Sequence, residues 1–393
     1  MSIERVGVIG AGTMGSGIAQ IAALGGYETR LHDPVPAALE TGIERMRTAL
    51  TKGVAKGLWG ESEAEEASAR AGAAASFEDL CECDLVVEAA PEDLELKRGL
   101  FAALAEICGS GAILATNTSS LPVTAIGEGI PGPERVVGMH FFNPPALMKL
   151  VEVVATESSS PAALNATTEV SRRMGRTPIR AKDRPGFIAN RLARPFSLES
   201  LRMLAEGVTD AETIDRIVRI GGGFRMGPFE LIDLIGLDIN LSVARSFYRQ
   251  GGEPERWRPS PVQERMVSEG HLGRKSGKGF YEYGDGPHRQ PDPDLGIKAP
   301  TLAHAELAKI DPAAPTVLPR LLTQIANEAA FALEEEVGSP ADMNTAMRLG
   351  FNWPRGPLEL TEMIGAERAA RLLEELQRWH GDAYRPAPRL TSG

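Results

Sequence analysis

The first part of the chain alternates short apolar runs with stretches of helical spacing. An unbroken apolar run such as Val6 to Ile9 is typical of a strand buried on both faces of a parallel sheet. The stretch Ser16 to Gly25 is apolar at helical spacing, and Pro36 to Ala75, rich in Ala, Glu, Arg and Lys, predicts a partly exposed helix. The predicted strands are Val6 to Ile9, Glu28 to Asp33, Asp84 to Ala89, Ala112 to Thr116, Arg135 to Met139 and Leu150 to Val154. This alternation predicts a doubly wound α/β domain with a parallel sheet and helices on both faces.

The pattern of apolar positions changes near Gly186. The short apolar runs typical of strands stop there, and amphipathic helices such as Ile188 to Ala205 and Ala211 to Ile220 begin. Gly284 to Pro300 is rich in Gly, Pro and Asp and predicts a linker. The last residues, Pro386 to Gly393, are expected to fray. The predicted segments are an α/β domain (1–184), an all-α domain (185–284), a linker (285–300) and a second helical domain (301–384).

The helical part contains an internal repeat. Gly221 to Leu231 matches Gly350 to Leu360, and Gly227 precedes its counterpart Gly356 by 129 residues. The same offset joins Glu199 to Glu328, Leu204 to Leu333, and Gly236 to Gly365. The helical domain is therefore expected twice, whereas the α/β domain occurs once.

Composition narrows the class of protein. The 393 residues include 42 Lys and Arg against 53 Asp and Glu, and the net charge of −11 argues against a nucleic-acid partner. No apolar run reaches the roughly 18 residues of a membrane span, and the N-terminus does not read as a signal peptide. Cys81, Cys83 and Cys108 suit neither a disulfide framework nor a metal site, which predicts no metal and reduced thiols in the cytoplasm.

A glycine-rich turn follows the first predicted strand. The turn reads Gly10, Ala11, Gly12, Thr13, Met14, Gly15. Such glycines let the backbone approach a pyrophosphate at a helix N-terminus, as in Rossmann-type folds. Asp33 ends the next strand 18 residues after Gly15, a spacing that suits a carboxylate on a ribose 2′-hydroxyl and favours NAD over NADP. The alternative is a tight turn with an unrelated Asp at the end of a strand.

Four more polar residues are candidates for a site: three lie in or just after predicted strands, and one lies at the start of the helical domain. Ser119, in Asn117 to Leu121, follows a strand at the edge where ligands bind, although on local sequence alone a turn or helix N-cap is the better explanation. His140 ends a strand and is suited to accept a proton from an alcohol. Glu152 interrupts an apolar run and either pairs with His140 or is exposed at a sheet edge. Asn190, at the start of the helical domain, either reaches an active cleft or is solvated.

Together these motifs resemble the 3-hydroxyacyl-CoA dehydrogenase family from Val6 to about Tyr283. They are GAGTMG, NTSSL, HFFNPP, KLVEVV, DRPGFIANRL, GGGFRMGPFELIDLIGLD and GRKSGKGFYEY. The resemblance implies that His140 is the general base with Glu152 as its partner, and that Ser119 and Asn190 contact the reacting oxygen or the nicotinamide. It implies an NAD site formed by Gly10, Ala11, Gly12, Thr13, Met14, Gly15, Asp33, Glu92, Lys97, Asn117, Ser119, Asn143 and Lys275. Lys52 and Lys56 are candidates for the CoA phosphates.

The resemblance extends to the second helical copy, since larger bacterial members carry two. Pro319 takes the position of Asn190 there and offers no amide. The second copy is therefore expected to lack that substrate contact. It is expected either to pack against the first copy in place of a partner's domain, giving a monomer, or to leave the chain a homodimer.

The expected reaction is the reversible NAD-dependent oxidation of an (S)-3-hydroxyacyl-CoA to a 3-oxoacyl-CoA, as in fatty acid β-oxidation. The alternatives are a 3-hydroxybutyryl-CoA dehydrogenase of a short-chain pathway, an NAD-linked sugar-acid dehydrogenase of the crystallin branch, and a non-catalytic NAD-binding protein. Acyl-CoA is the expected small-molecule partner.

Overall fold

The computed structural model describes residues 2–391. The chain divides into two compact units, one ending at Phe187 and the other beginning at Ile188. The first unit holds the sheet, and the second holds both predicted helical copies.

The first unit is an eight-stranded sheet flanked by helices, in the order β3-β2-β1-β4-β5-β6-β7-β8. The strands are β1 (Arg5–Ile9), β2 (Glu28–His32), β3 (Ala71–Ala74), β4 (Leu85–Glu88), β5 (Ile113–Thr116), β6 (Val136–Phe141), β7 (Leu150–Ala155) and β8 (Thr177–Lys182). The helices are α1 (Thr13–Leu24), α2 (Pro36–Ala55), α3 (Glu61–Arg70), α4 (Leu94–Ile107), α5 (Val123–Ile126) and α6 (Pro161–Arg173). The predicted doubly wound α/β class is confirmed.

The expectation of an all-parallel sheet is wrong at its far side. Strands β1 to β6 run parallel, but β7 pairs antiparallel with β6, and β8 runs parallel with β7. The connection between Phe141 and Leu150 is too short for the crossover of a dozen or more residues that a parallel pair requires. A direct return to the neighbouring position is therefore antiparallel.

Two strands were missed. The stretch Pro36–Ala75 contains α2 and α3 as expected, but it ends in β3, whose sequence AGAA has little strand propensity. Pairing with β2 determines its conformation. β8 was also missed, because the charged residues Arg180 and Lys182 interrupt its apolar pattern.

The second unit is helical throughout its regular elements. Its helices are α7 (Ala189–Ala205), α8 (Ala211–Ile220), α9 (Pro228–Ile235), α10 (Leu237–Gln250), α11 (Pro261–Ser268), α12 (His304–Leu307), α13 (Ala314–Glu334), α14 (Pro340–Gly350), α15 (Pro357–Ile364), α16 (Ala366–His380) and α17 (Pro388–Thr391). The repeat persists in three dimensions, because α8, α9 and α10 recur 129 residues later as α14, α15 and α16. The Asp215 carboxylate accepts from the Phe229 amide at the start of α9, and the Asn344 side chain accepts from Leu358 at the start of α15.

The two copies pack through α7 and α13, with reciprocal ion pairs across the contact. Arg191 donates to Glu328 (2.7 Å) and Glu335 (2.6 Å), while Arg320 donates to Glu199 and to Glu206 (2.6 Å). Each residue of the first set is the repeat counterpart of one in the second. The contact therefore has the self-complementary pattern of a twofold dimer interface inside one chain.

The predicted linker forms no helix or strand but is held on the first copy. The guanidinium of Arg289 donates to Glu230 (2.6 Å), and Asp292 accepts two bonds from Arg219, each of 2.7 Å. These side chains fix its course.

The expected fraying of the C-terminus is wrong for residues 386–391. Leu390 of α17 is buried, and the Ala387 amide donates to Asn327 (2.8 Å). The sequence Trp257-Arg258-Pro-Ser-Pro before α11 recurs as Tyr384-Arg385-Pro-Ala-Pro before α17, so the repeat continues to this end. Residues 392–393 lie outside the described residues.

Candidate active site

In the glycine-rich turn between β1 and α1, the first and last glycines have no room for a side chain, whereas the space beside the middle glycine is empty. Gly10 has φ +95°, and a Cβ there would lie 2.6 Å from the Ala89 carbonyl oxygen. A Cβ at Gly15 would lie 1.7 Å from the Gly10 oxygen, whereas one at Gly12 meets no described atom within 4 Å. Gly12 is also the N-cap of α1 and supplies no side-chain cap, so the first-turn N–H groups face the open centre. This cradle suits a pyrophosphate.

Asp33 lies beside this turn. Its carboxylate accepts from the Ala11 amide (2.9 Å) and from the Val35 amide (3.0 Å), which fixes it at the carboxyl end of β2. A carboxylate there can accept from ribose hydroxyls and repels a 2′-phosphate.

The sequence did not point to Arg45, which braces the turn from α2. Its guanidinium donates to the Ala11 carbonyl (2.9 Å) and to the Ser16 hydroxyl (3.3 Å). Nothing in the sequence distinguishes Arg45 from the other charged residues of that helix, because the contact spans 34 positions.

Glu92 and Lys97 meet at the carboxyl end of β4. Lys97 is buried and donates to Glu88 (2.6 Å) and to the Ala90 carbonyl (3.2 Å), and its ammonium lies 3.5 Å from Glu92. Burial opposes ionisation of Glu92, but a hydrogen bond from Thr118 and the charge of Lys97 outweigh it and lower its pKa. Lys97 therefore holds the loop after β4 in place through its contacts with the carboxylates of Glu88 and Glu92. Glu88, which sequence reasoning missed, ends an apolar strand just as Glu152 interrupts one, and that signal was available.

Asn117 and Ser119 lie on the adjacent loop after β5. The Asn117 side-chain oxygen accepts from the Phe141 amide (2.8 Å) and so ties this loop to the end of β6. The Ser119 amide donates to Glu92 (3.1 Å), and Ser119 itself is exposed. The loop therefore places the Ser119 hydroxyl at the same sheet edge as His140.

His140 and Glu152 form a buried pair. The antiparallel register sets these two residues directly opposite each other on β6 and β7, and Nδ1 of His140 lies 2.7 Å from Oε2 of Glu152. Glu152 is 0 % exposed, which rules out the alternative of an exposed edge residue. The imidazole also packs against Phe142 and Phe187, at centroid distances of 4.6 and 5.8 Å. With Nδ1 held by the carboxylate, Nε2 is the nitrogen that can take part in proton transfer.

Lys52 and Lys56 line a groove of about 240 Å³ in the first unit. Thr13 of the glycine-rich turn lines it as well, and so does Gln20, whose buried amide nitrogen has no hydrogen-bond partner among residues 2–391. The exposed Asn143 immediately precedes Pro144, another lining residue. The groove therefore brings two cations beside the first turn of α1.

Asn190 and Lys275 belong to the second unit. Asn190 lies in the first turn of α7, and Lys275 forms an ion pair with Asp238 (2.6 Å). Their predicted contacts with substrate and cofactor stay predictions.

Two features are absent from residues 2–391. No group of three or more His, Cys, Asp or Glu side chains there could hold a metal ion. No helix in that range has both the length and the apolar character needed to span a membrane.

The chain is similar to known proteins over nearly its whole length. Residues 5–184 match the family model described as 3-hydroxyacyl-CoA dehydrogenase, NAD binding domain, and residues 186–283 and 317–392 match the model of its C-terminal domain. The chain is 36% identical to the 3-hydroxyadipyl-CoA dehydrogenase of Escherichia coli strain K12, over 99% of this chain and 97% of that protein. It is 40% identical to a probable 3-hydroxybutyryl-CoA dehydrogenase of Deinococcus radiodurans, over 71% of this chain and 100% of the relative. The crystal structure of 3-hydroxybutyryl-CoA dehydrogenase from Escherichia coli K12 superposes with a TM-score of 0.90 at 35% identity, covering 100% of this chain and 98% of that one.

Proposed function

The chain belongs to the 3-hydroxyacyl-CoA dehydrogenase family, and we propose that His140 and Glu152 form the catalytic base of its NAD-dependent reaction. The observation that carries this proposal is the 2.7 Å contact between the two side chains, both of which are buried. A carboxylate in this position fixes the imidazole ring and stabilises the imidazolium that forms when the base is protonated.

In the oxidation direction, Nε2 of His140 accepts the proton of the substrate hydroxyl. Bound NAD would supply the acceptor for the hydride that leaves C3. Ser119 donates a hydrogen bond to the reacting oxygen and so holds the hydroxyl close to the imidazole. Phe142 and Phe187 pack against the ring and keep it in place. In reverse, the imidazolium returns its proton to the oxygen of the 3-oxo group.

The residues of the first unit fit NAD. The open position at Gly12 and the uncapped start of α1 would receive the pyrophosphate, and Asp33 would accept from the adenosine ribose. Glu92 and Asn117, with the Lys97 ammonium behind them, would border the nicotinamide half.

We assign the CoA phosphates to the groove lined by Lys52 and Lys56. Two exposed ammonium groups on one wall supply the positive charge, and Trp59 and Leu147 supply apolar surface for the pantetheine arm. The unpartnered amide of Gln20 can donate to one of its carbonyls. A 3-hydroxybutyryl-CoA substrate is the runner-up, because most of the shorter relatives are named for it.

The test is the substitution His140→Ala, with acyl-CoA turnover followed by NADH absorbance. General-base help is typically worth about 10²–10⁴ in rate, and we expect kcat to fall by that factor with the NAD dissociation constant unchanged. Glu152→Gln keeps the shape and should lower kcat less. The matched control is His304→Ala, an exposed imidazole outside the site. Wild-type turnover in the His140 variant would remove the assignment.

We further propose that the chain is a monomer in which the second copy replaces a partner's domain. The reciprocal ion pairs between α7 and α13 support it, because they already satisfy the face that a second chain would cover. A chain truncated after Gly286 would expose that face. Light scattering should then detect more dimer than for the full chain, whereas unfolding without dimerisation would contradict the proposal.

We also propose a cytoplasmic location, which the three free thiols of Cys81, Cys83 and Cys108 support. Fractionation of expressing cells tests it, and recovery outside the cytoplasm would refute it.

A further inference from the structure

Four arginine side chains of the second unit are at least nine-tenths buried, and one of them differs from the rest. Arg191, Arg219 and Arg320 each contact two carboxylates. Arg194 contacts none: within residues 2–391, no carboxylate oxygen lies within 4 Å of its guanidinium nitrogens. A buried cation without a counter-charge destabilises the folded chain, which indicates that Arg194 has a role other than stability.

The Arg194 guanidinium lies beside the first turn of α7. Its Nε donates a long hydrogen bond (3.3 Å) to the Asn190 carbonyl, and its Nη1 is buried with no partner among the described residues. Its Cζ lies over the Phe247 ring, 5.4 Å from the ring centroid. Burial lowers the pKa of Arg194 to about 10, so the group is still charged at neutral pH. The Arg194 guanidinium, whose planar set of N–H donors matches a carboxylate, is thus charged and has no carboxylate partner among residues 2–391.

Comparing α7 with its repeat counterpart α13 shows which of its residues both copies share and which occur in the first copy alone. Arg191 and Glu199, which hold the two copies together, recur as Arg320 and Glu328. Arg194 does not recur, since its counterpart on α13 is Thr323. The helix therefore packs in the second copy without a cation at this position. Asn190, the predicted substrate contact, also occurs only in the first copy. Arg194 and Asn190 therefore share the property expected of residues that bind substrate, since the second copy is expected to lack that contact.

We infer that Arg194 binds a carboxylate at the far end of the acyl chain, which makes 3-hydroxyacyl-CoA thioesters of short dicarboxylic acids the preferred substrates. The inference rests on the proposed function and on the separate prediction that Asn190 contacts the substrate. Residues four apart on a helix lie on one face, about 5–6 Å apart at Cβ. In a six-carbon diacid, three bonds of about 1.5 Å each join C3 to the terminal carboxyl carbon. A chain whose hydroxyl reaches Asn190 can therefore bring its carboxylate to Arg194.

The experiment compares 3-hydroxyadipyl-CoA with 3-hydroxyhexanoyl-CoA, which has the same length and a methyl group in place of the carboxylate. We expect the wild type to favour the diacid. In Arg194→Met, the ratio of the two kcat/KM values should fall by about 10²-fold, since a charged bidentate contact is lost. Arg194→Lys should keep part of the preference. Thr323→Val, the matched change in the second copy, should keep the wild-type ratio.

Two further readouts separate the explanations. If Arg194 binds substrate, Arg194→Met should melt at or above the wild-type temperature, because an unpaired buried charge is removed. An equal loss on both substrates with a lower melting temperature would mean that Arg194 only supports the fold. A raised KM for NAD with an unchanged substrate ratio would assign the anion to a cofactor phosphate, and either result overturns the inference. If the wild type oxidises neither thioester, the proposed function itself fails.

Discussion

The internal interface between the two helical copies makes a prediction about stability. Glu328 is 2 % exposed and accepts from Arg191 (2.7 Å), Trp257 (2.9 Å) and Arg256 (3.0 Å). Substitution to Gln keeps the size of the side chain but removes its charge and one acceptor oxygen. Arg191 is 0 % exposed and cannot turn to solvent without opening the contact between α7 and α13.

The expected loss of unfolding free energy in Glu328→Gln depends on which contacts Arg191 keeps. Breaking a buried ion pair by removing one partner costs about 3–5 kcal/mol. Arg191 keeps its contact with Glu335, which is 40 % exposed, and we therefore expect the lower end, about 3 kcal/mol. For a unit of this size, 1 kcal/mol shifts the melting temperature by roughly 2–4 °C, so Glu328→Gln should lower the melting temperature of the second unit by about 6–12 °C.

Scanning calorimetry on the full chain measures this shift. The repeat supplies a matched variant, because Glu199 is the counterpart of Glu328 and accepts from Arg320 and Tyr384. Glu199→Gln should lower the melting temperature by a similar amount. Glu367→Gln, on an exposed helical pair, should leave it at the wild-type value. If Glu328→Gln melts with the wild type, the ion pairs do not hold the copies together and the reasoning is wrong.

The remaining predictions concern the cofactor and acid stability. Asp33→Ala should raise the Kd for NAD and narrow its advantage over NADP in a fluorescence titration, and an equal NAD affinity would refute the ribose contact. Burial opposes ionisation of Glu230, but the Gly227 amide, His288 and the guanidinium groups of Arg289 and Arg219 outweigh it and lower its pKa from 4.5 to about 2. A lowered carboxyl pKa contributes stability above the unfolded value of 4.5 that is lost as the pH falls towards 2. The gap in unfolding free energy between wild type and Glu230→Gln, about 3 kcal/mol at pH 7, should therefore shrink between pH 5 and 2 in urea titrations, and a constant gap would contradict the assignment.

Much of the site could be predicted because local sequence determines it. The glycine-rich turn needs Gly10 at positive φ and Gly15 under the Gly10 carbonyl, and both requirements are visible as glycines at fixed spacing. His140 was identifiable as a rare residue type at a strand end. Arg45 was not identifiable, because its contacts with Ala11 and Ser16 form only on folding.

The alternation of strands and helices, the glycine-rich turn and the duplication of the helical domain can all be read from the sequence, since periodicity, glycine spacing and repetition are properties of the sequence alone. The antiparallel return of β7, which sets Glu152 opposite His140, depends on a register that no local preference encodes. The same holds for β3, which is a strand because it pairs with β2, and for α17, which packs with Leu390 buried instead of fraying. All three features have one cause. Strand pairing and burial depend on residues distant in the chain, and their free energy outweighs weak local propensities.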